Sequence, residues 1–285
     1  MGRGQLLRRI AREVLGEEVA RKLWGRVELI GDIALLRKSP DVSIDDYRVL
    51  ANELLRRLPY VKSVWLAVTP IKGKYRVREY VHLAGEERSV TYYKEHGCVF
   101  KIDIREVYIS PALNYEHGRV AKLVRPNEYV ANMFAGAGLF SIIIAKYSRP
   151  KEVLSIDINP KAYELMVENI RLNKVEDVVK PVLGDAGEVM LRYPGRFDRV
   201  LMPLPELALK YLDRAVYALK SVGYVHAYDF ISCEDREEAL RIAEDTYLSK
   251  LRELGVKESK VVYSRIVRSV GPRYYQVVLD ILIKK

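Results

Sequence analysis

The sequence predicts an α/β fold: a mostly parallel sheet covered by helices, closed by an antiparallel C-terminal hairpin and preceded by a small α+β domain. Three observations predict it. After Ser110-Pro111, strand-like apolar runs alternate with helical ones, the rhythm of a parallel sheet covered on both faces. A glycine-rich turn, FAGAGLFS, lies between one such strand and the next helix. The last two strand-like runs are joined by Gly271-Pro272, which reads as a hairpin turn at the sheet edge.

In chain order, residues 5–24 place Leu6, Ile10, Val14, Ala20 and Leu23 on one helical stripe, with Arg8, Arg9, Arg12 and Arg21 among the polar positions. A terminal helix with a solvated charged face is the favoured reading, although that face is also suited to a phosphate backbone. Residues 27–109 are mostly strand. VELIGDIALL, VKSVWLAVT, YRVREYVHLAG and CVFKIDIREVYI are rich in β-branched and aromatic residues, and a helix over 44–58 interrupts them.

The α/β rhythm then brings a helix over 113–124, the strand YVANMFA and a helix over 139–147. EVLSIDI follows, then a helix over 160–173 that opens on Pro160, where a missing N–H costs nothing. VVKPVLGDA, the strand RVLMPLP, a helix over 206–219 and GYVHAYDF come next. A helix ending near Leu254 and the strands KVVYSRIVRSV and YYQVVLDILI close the chain. The expected organisation is therefore a basic N-terminal helix (1–26), a small α+β domain (27–109) and an α/β domain (110–285).

Composition narrows the function. A length of 285 residues suits one or two domains, and 49% hydrophobic residues suffice for a core. No apolar run reaches the length of a membrane span, and the basic N-terminus is not followed by a secretory signal. Cys98 and Cys233 are far apart and in no metal-ligand spacing, so reduced thiols, a cytoplasmic location and no metal are expected. Lys and Arg exceed Asp and Glu by 48 − 38 = 10. A pI near 9.4 fits a polyanionic partner, since each neutralised phosphate releases counterions. Many basic proteins bind no nucleic acid, so charge alone leaves the question open.

Gly136 and Gly138 permit a tight turn at which a ligand can approach backbone N–H groups at a helix start. Asp157, nineteen residues beyond Gly138, ends the next strand, a spacing suited to a carboxylate that accepts from ribose hydroxyls. Ser141 stands where a dinucleotide fingerprint has its third glycine. A site without a pyrophosphate does not need that close approach, which favours S-adenosylmethionine over a nicotinamide cofactor. A third turn, Gly184-Asp185-Ala186, is placed to meet an adenine amino group. Phe134, Ile158 and Ala186 complete the candidate cofactor set. Each motif alone is weak, because a Gly-rich turn is often only a turn and an Asp only a helix cap. Three consecutive strand-end turns together point to a nucleoside.

From Val27 onward the chain resembles the archaeal and eukaryotic tRNA (guanine-N1)-methyltransferases that act beside the anticodon. The matching blocks are LIGDIALL, TPIKGKYRVREY with LAGEE, GCVFKIDI, VYISPALNYEHGRV, MFAGAGLFS, DINP, ENIRLNKVED, GDA, FDRVLMPLP and IVRSVGPRYYQVVLD. The resemblance implies a Rossmann-type class I methyltransferase sheet, S-adenosylmethionine as cofactor, the tRNA anticodon stem-loop as partner and a monomer with no membrane. It implies N1-methylation of guanosine 37, with residues 27–109 contacting tRNA. The extra N-terminal domain of many archaeal members looks replaced by the basic helix. The sister family of wyosine-pathway aminocarboxypropyl transferases supplies the alternative, as does methylation of a wyosine precursor. A weakly active tRNA-binding relative is the non-enzyme alternative.

Methylating guanine N1 requires a base for its proton and a cation for the charge that develops on O6. The resemblance assigns these roles to Glu116 and Arg76, with Arg78 as fallback on the same strand face, and places Tyr108 near the methyl donor and target base. It places His117 at a position that contacts the cofactor. Without the family, Glu116 is a carboxylate favouring its helix dipole, Arg76 a surface arginine, Tyr108 a core tyrosine on a strand and His117 a neutral helix histidine. Three positions depart from the family. Asn132 stands for Asp, Ala112 for the Arg of a Ser-Pro-Arg-Leu block, and Pro203, in MPLP, for the Asn of an Asn-Leu-Pro turn. Pro203 offers neither amide nor N–H.

Overall fold

The computed structural model describes residues 3–70 and 73–285. The chain divides into two compact units, Met1–Pro111 and Ala112–Lys285.

The N-terminal unit begins with α1 (Arg3–Leu15) and α2 (Glu17–Lys22), followed by β1 (Glu28–Ile30), β2 (Ile33–Arg37), α3 (Ile44–Arg57), β3 (Ser63–Ala67) and β4 (Tyr80–Gly85). These strands form one sheet in the order β1-β2-β3-β4, and a hairpin of β5 (Val90–Glu95) and β6 (Cys98–Asp103) completes the unit. Ser43 caps α3 by a capping box with Asp46, and Tyr47, Leu50, Ala51 and Leu54 form its buried face. That helix is the crossover that lets β2 and β3 pair in parallel.

Five expectations for this unit need correction. The single helix over 5–24 is two helices, because Gly16 takes φ 92° between them and breaks the helical phase. The buried face is Leu7, Ile10, Ala11, Ala20 and Leu23, whereas Val14 is exposed. These residues share a core with Leu36, Tyr47, Leu50 and Leu66, so 1–26 is no separate region, and the unit boundary follows Pro111. YRVREYVHLAG is strand only from Tyr80, since 73–76 is a turn in which Arg76 has φ 57°. CVFKIDIREVYI is strand only to Asp103, which leaves Tyr108 in an irregular stretch. Strand β5 falls in the stretch expected to be mostly strand, outside the four runs named for it.

The C-terminal unit contains α4 (Asn114–Leu123), β7 (Tyr129–Asn132), α5 (Leu139–Ser148), β8 (Glu152–Asp157), α6 (Pro160–Asn173), β9 (Val179–Leu183) and α7 (Ala186–Met190). It continues with β10 (Phe197–Met202), α8 (Pro205–Ala208), α9 (Leu212–Ala218), β11 (Leu219–Ser232), α10 (Arg236–Glu253), β12 (Glu258–Gly271) and β13 (Tyr274–Lys284). Its seven strands lie in the order β12-β13-β11-β10-β7-β8-β9. β11, β10, β7, β8 and β9 are parallel neighbours, and β13 runs antiparallel between β11 and β12. The expected α/β class therefore holds. The closing hairpin puts only β12 at the edge, and β13 is buried from Val277 to Leu279. The helix expected over 206–219 is two short helices, interrupted at 209–211, and it ends before Leu219, which already pairs with Phe197 as strand. No helix among the described residues is long and apolar enough to cross a membrane.

Candidate active site

In an open α/β sheet the ligand crevice lies at the carboxyl ends of the strands, and the C-terminal unit concentrates its polar groups there. After β7 the chain turns through Gly136 (φ 55°) and Gly138 (φ 92°), conformations that favour glycine. A side chain at Gly138 would come within 3.1 Å of Ile142 and Met166, whereas the space beside Gly136 is open for 4 Å. Buried amides brace the turn. Asn169 Nδ2 donates to the Ala137 carbonyl (3.0 Å), Asn132 Nδ2 donates to Ser141 Oγ (3.1 Å), and Asn132 Oδ1 accepts from Phe134 N (3.4 Å).

Asp157 at the end of β8 accepts from Gly136 N (2.7 Å) and Asn159 N (2.9 Å). Burial pushes its carboxyl up, against these backbone donors. Two N–H bonds use about half of a carboxylate's acceptor capacity, which leaves lone pairs for hydroxyls. Ile158, half-buried, leads into Asn159, the cap of α6. Asp185 caps α7 through Gly187 N and Glu188 N, and its Oδ2 accepts from Tyr211 Oη at 3.0 Å. Ala186 is buried. Phe134 meets Tyr211 edge-on at 5.9 Å, so Phe134, Tyr211 and Asp185 form one connected wall. His117, also buried, stacks edge-on against Phe140 at 4.3 Å, on the helix that follows the glycine turn. Open space beside Gly136, spare acceptors on Asp157 and an aromatic wall at Asp185 fit an adenosyl group. Asp157→Ala should therefore weaken S-adenosylmethionine binding by ~1–3 kcal/mol, the cost of charge-assisted hydrogen bonds. Calorimetry showing unchanged affinity would remove Asp157 from the cofactor set.

A buried ionic chain runs from Glu116 into the sheet. Glu116 is 1% exposed, and its Oε2 accepts from Arg119 (3.0 Å) and from Tyr228 Oη (3.0 Å). Arg119 also forks onto both oxygens of Asp280 (2.5 and 3.1 Å). Asp280 Oδ1 lies 2.6 Å from His226 Nδ1, and His226 Nε2 lies 2.9 Å from Arg199, which pairs with Glu128. An arginine only donates, so His226 Nε2 must accept, and the ring is neutral with its proton on Nδ1 toward Asp280. Burial pushes the His226 pKa down accordingly, against the pull of Asp280. Burial alone would raise the Asp280 carboxyl, but its hydrogen bonds to His226 and Arg119 hold it below the usual carboxylate range. Glu116 Oε1 differs from its twin oxygen. It is buried without a hydrogen-bond partner among the described residues, although the Arg265 guanidinium lies 3.3 Å away and stacks over Tyr115.

Neutral His226 has a pH consequence. Its folded pKa lies below the ordinary 6.5, so the unfolded chain binds more protons as pH falls past that value. The stability it contributes is complete above about pH 6.5 and is lost as pH drops toward the depressed folded value. Melting curves from pH 8 to 5 should show this decline in the wild type and a shallower one in His226→Gln; equal slopes would contradict the assignment.

A model of the TRM5/TYW2 methyltransferase domain matches residues 91–261, and one of the TYW2 N-terminal domain matches residues 7–88. The chain belongs to the TRM5/TYW2 methyltransferase family. It is 42% identical to the tRNA 4-demethylwyosine(37)-methyltransferase Taw21 of Saccharolobus solfataricus, covering 91% of this chain and 94% of that protein. Among solved structures, Trm5b of Pyrococcus abyssi superposes with a TM-score of 0.84 at 32% identity, covering 95% of this chain and 78% of that one. TYW2 of P. horikoshii in complex with MeSAdo gives 0.77 at 29% identity, covering 99% of each chain. The cofactor of this TRM5/TYW2 member is S-adenosylmethionine, which supplies an electrophilic methyl group on sulfonium.

The structure brings Phe134, Gly136, Gly138, Asp157, Ile158, Asp185 and Ala186 to neighbouring strand ends of the C-terminal unit, the unit that also holds His117 and Glu116. Arg76 and Tyr108 belong to the N-terminal unit. Neither Arg76 nor Arg78 lies on a strand, so the shared strand face expected for them is absent. Sequence reading missed Tyr211, Arg119, Tyr228, His226, Asp280 and Arg265. Asp280, a charge inside the apolar run VVLDILI, was the available signal, because a charge in a buried strand needs partners.

Proposed function

We propose that this enzyme transfers the methyl group of S-adenosylmethionine to the base at position 37 of tRNA, in the anticodon stem-loop, with 4-demethylwyosine as the preferred acceptor. Pro203 is the observation that carries the choice of acceptor. It follows β10 directly, half-buried at the carboxyl end of a strand adjacent to β7, and Leu204 then leads into α8. This turn presents no amide and no N–H at residue 203, where the guanosine methyltransferases carry Asn. The 42% identity to a protein named for 4-demethylwyosine methylation supports the same choice.

Methyl transfer to a ring N–H or C–H position releases one proton, so either acceptor needs a base. Glu116 Oε1 serves: Oε2 is held by Arg119 and Tyr228, which fixes the carboxylate and leaves one oxygen unbonded. Arg265 is the movable partner of that oxygen, being partly exposed and held by an aromatic face. Arg76 and Tyr108 keep the roles that the resemblance gives them. Guanosine N1 is the second reading, favoured by the likeness to Trm5b, with Arg76 as the cation for O6.

Pro203→Asn separates the two acceptors. On tRNA with 4-demethylwyosine it should slow transfer by ~1–3 kcal/mol, the cost of an unsatisfied amide, and on tRNA with guanosine it should raise transfer. A wild type that prefers guanosine and is indifferent to the substitution would overturn the acceptor choice.

A further inference from the structure

The N-terminal unit holds a small polar cavity, of whose lining the reading above uses only Tyr108. It measures about 20 Å³, and its polar lining is Glu28, Arg37, Arg78, Tyr80 and Tyr108. The charges do not balance. Glu28 Oε1 is shared by Arg26 (3.1 Å) and Arg37 (3.0 Å), so one carboxylate already faces two guanidinium groups. Arg37 leaves its Nε buried with no hydrogen-bond partner among the described residues. Arg78 is partly buried and has neither a hydrogen bond nor an ion pair among them. Burial and the nearby Arg37 both push the Arg78 pKa down, and burial pushes that of Tyr80 up, which keeps its hydroxyl a donor.

A partly desolvated guanidinium with no ion pair, beside a second one, is costly unless an anion completes the set. Guanidinium donors match phosphate oxygens in geometry as well as charge. Size selects further: a cavity of this volume has room for about one water-sized group. It admits an oxygen of a tetrahedral anion and excludes a base.

We infer that this cavity is a phosphodiester site, in which the Arg37 and Arg78 guanidinium groups and Tyr80 donate to the oxygens of one backbone phosphate of the tRNA substrate. The inference rests on the tRNA reading above and adds a contact that positions the strand without reading a base.

The test is tRNA binding by fluorescence anisotropy across a salt series, for wild type, Arg78→Ala and Arg78→Lys. Arg78→Ala should weaken binding about tenfold, equally for tRNA with guanosine or 4-demethylwyosine, and reduce the slope of log K against log salt by roughly 0.7–0.9, one phosphate's share. Arg78→Lys should recover part of both. S-adenosylmethionine affinity should not change, and the melting temperature of Arg78→Ala should hold or rise, since a partly buried cation without an ion pair is removed. A merely structural arginine would lower it. Unchanged affinity and slope would overturn the site, as would a loss seen only in kcat at saturating tRNA or with only one acceptor. Protection from heat by inorganic phosphate in the wild type alone, with tRNA binding equal in all three proteins, would assign the cavity to a free anion and overturn the tRNA contact. Failure of the function has a different signature: salt-dependent tRNA binding that responds to Arg78→Ala, without methyl transfer.

Discussion

Glu116→Gln should slow single-turnover methyl transfer by ~10²-fold or more while tRNA affinity changes little, because positioned general bases contribute ~10²–10⁴-fold. The substitution keeps the shape of the side chain. Its amide oxygen can take the place of Oε2 between Arg119 and Tyr228, which turns the NH2 toward Arg265, where Oε1 now lies 3.3 Å from the guanidinium. The proton acceptor is then gone, and a donor faces a donor. S-adenosylmethionine affinity should stay near that of the wild type, since Asp157 and Asp185 lie at the ends of β8 and β9 and Glu116 on α4. A rate within about threefold of wild type would mean that Glu116 only anchors Arg119, far below the range for a general base.

Asp280→Ala should cost ~3–5 kcal/mol of stability, the range for leaving one member of a buried ion pair without its partner. Asp280 binds both ends of the chain that leads to Glu116: Arg119 through two oxygens and His226 through Oδ1. Its removal strands the proton on His226 Nδ1 inside a fully buried site and frees Arg119 to swing toward Glu116 alone. Asp280→Asn keeps an acceptor for one of these donors and should cost less. Asp280 touches no substrate in this account and is a positioning residue. Asp280→Asn should therefore lower kcat more than it raises KM, because Glu116 loses its fixed orientation. Urea denaturation reads the first effect and steady-state kinetics the second. A loss under about 1 kcal/mol for Asp280→Ala would place the network among pairs of no consequence.

The C-terminal unit was the more legible half, for a physical reason. Strand–helix alternation with Gly136, Gly138, Asp157 and Asp185 at strand ends is a local pattern, and local patterns survive in sequence. Helix α6 begins on Pro160 and ends at Asn173 where the sequence placed it. The misses were of two kinds. At Gly16 and in the turn at 73–76, a backbone with positive φ broke a run whose composition still looked regular. The ionic chain was invisible because Glu116, Arg199, His226 and Asp280 come from four distant segments and meet only through sheet order. Tyr211 escaped for the same reason, reaching Asp185 across 26 residues.

The most direct test of the central claim is mass analysis of nucleosides after incubating the wild-type protein with methyl-labelled S-adenosylmethionine and tRNA. Two tRNAs are needed, one with 4-demethylwyosine and one with guanosine at position 37. Labelled methyl on the 4-demethylwyosine of the first, with much slower labelling of guanosine, is the predicted result. Transfer of an aminocarboxypropyl group, or tRNA binding with no label in either nucleoside, would contradict the account.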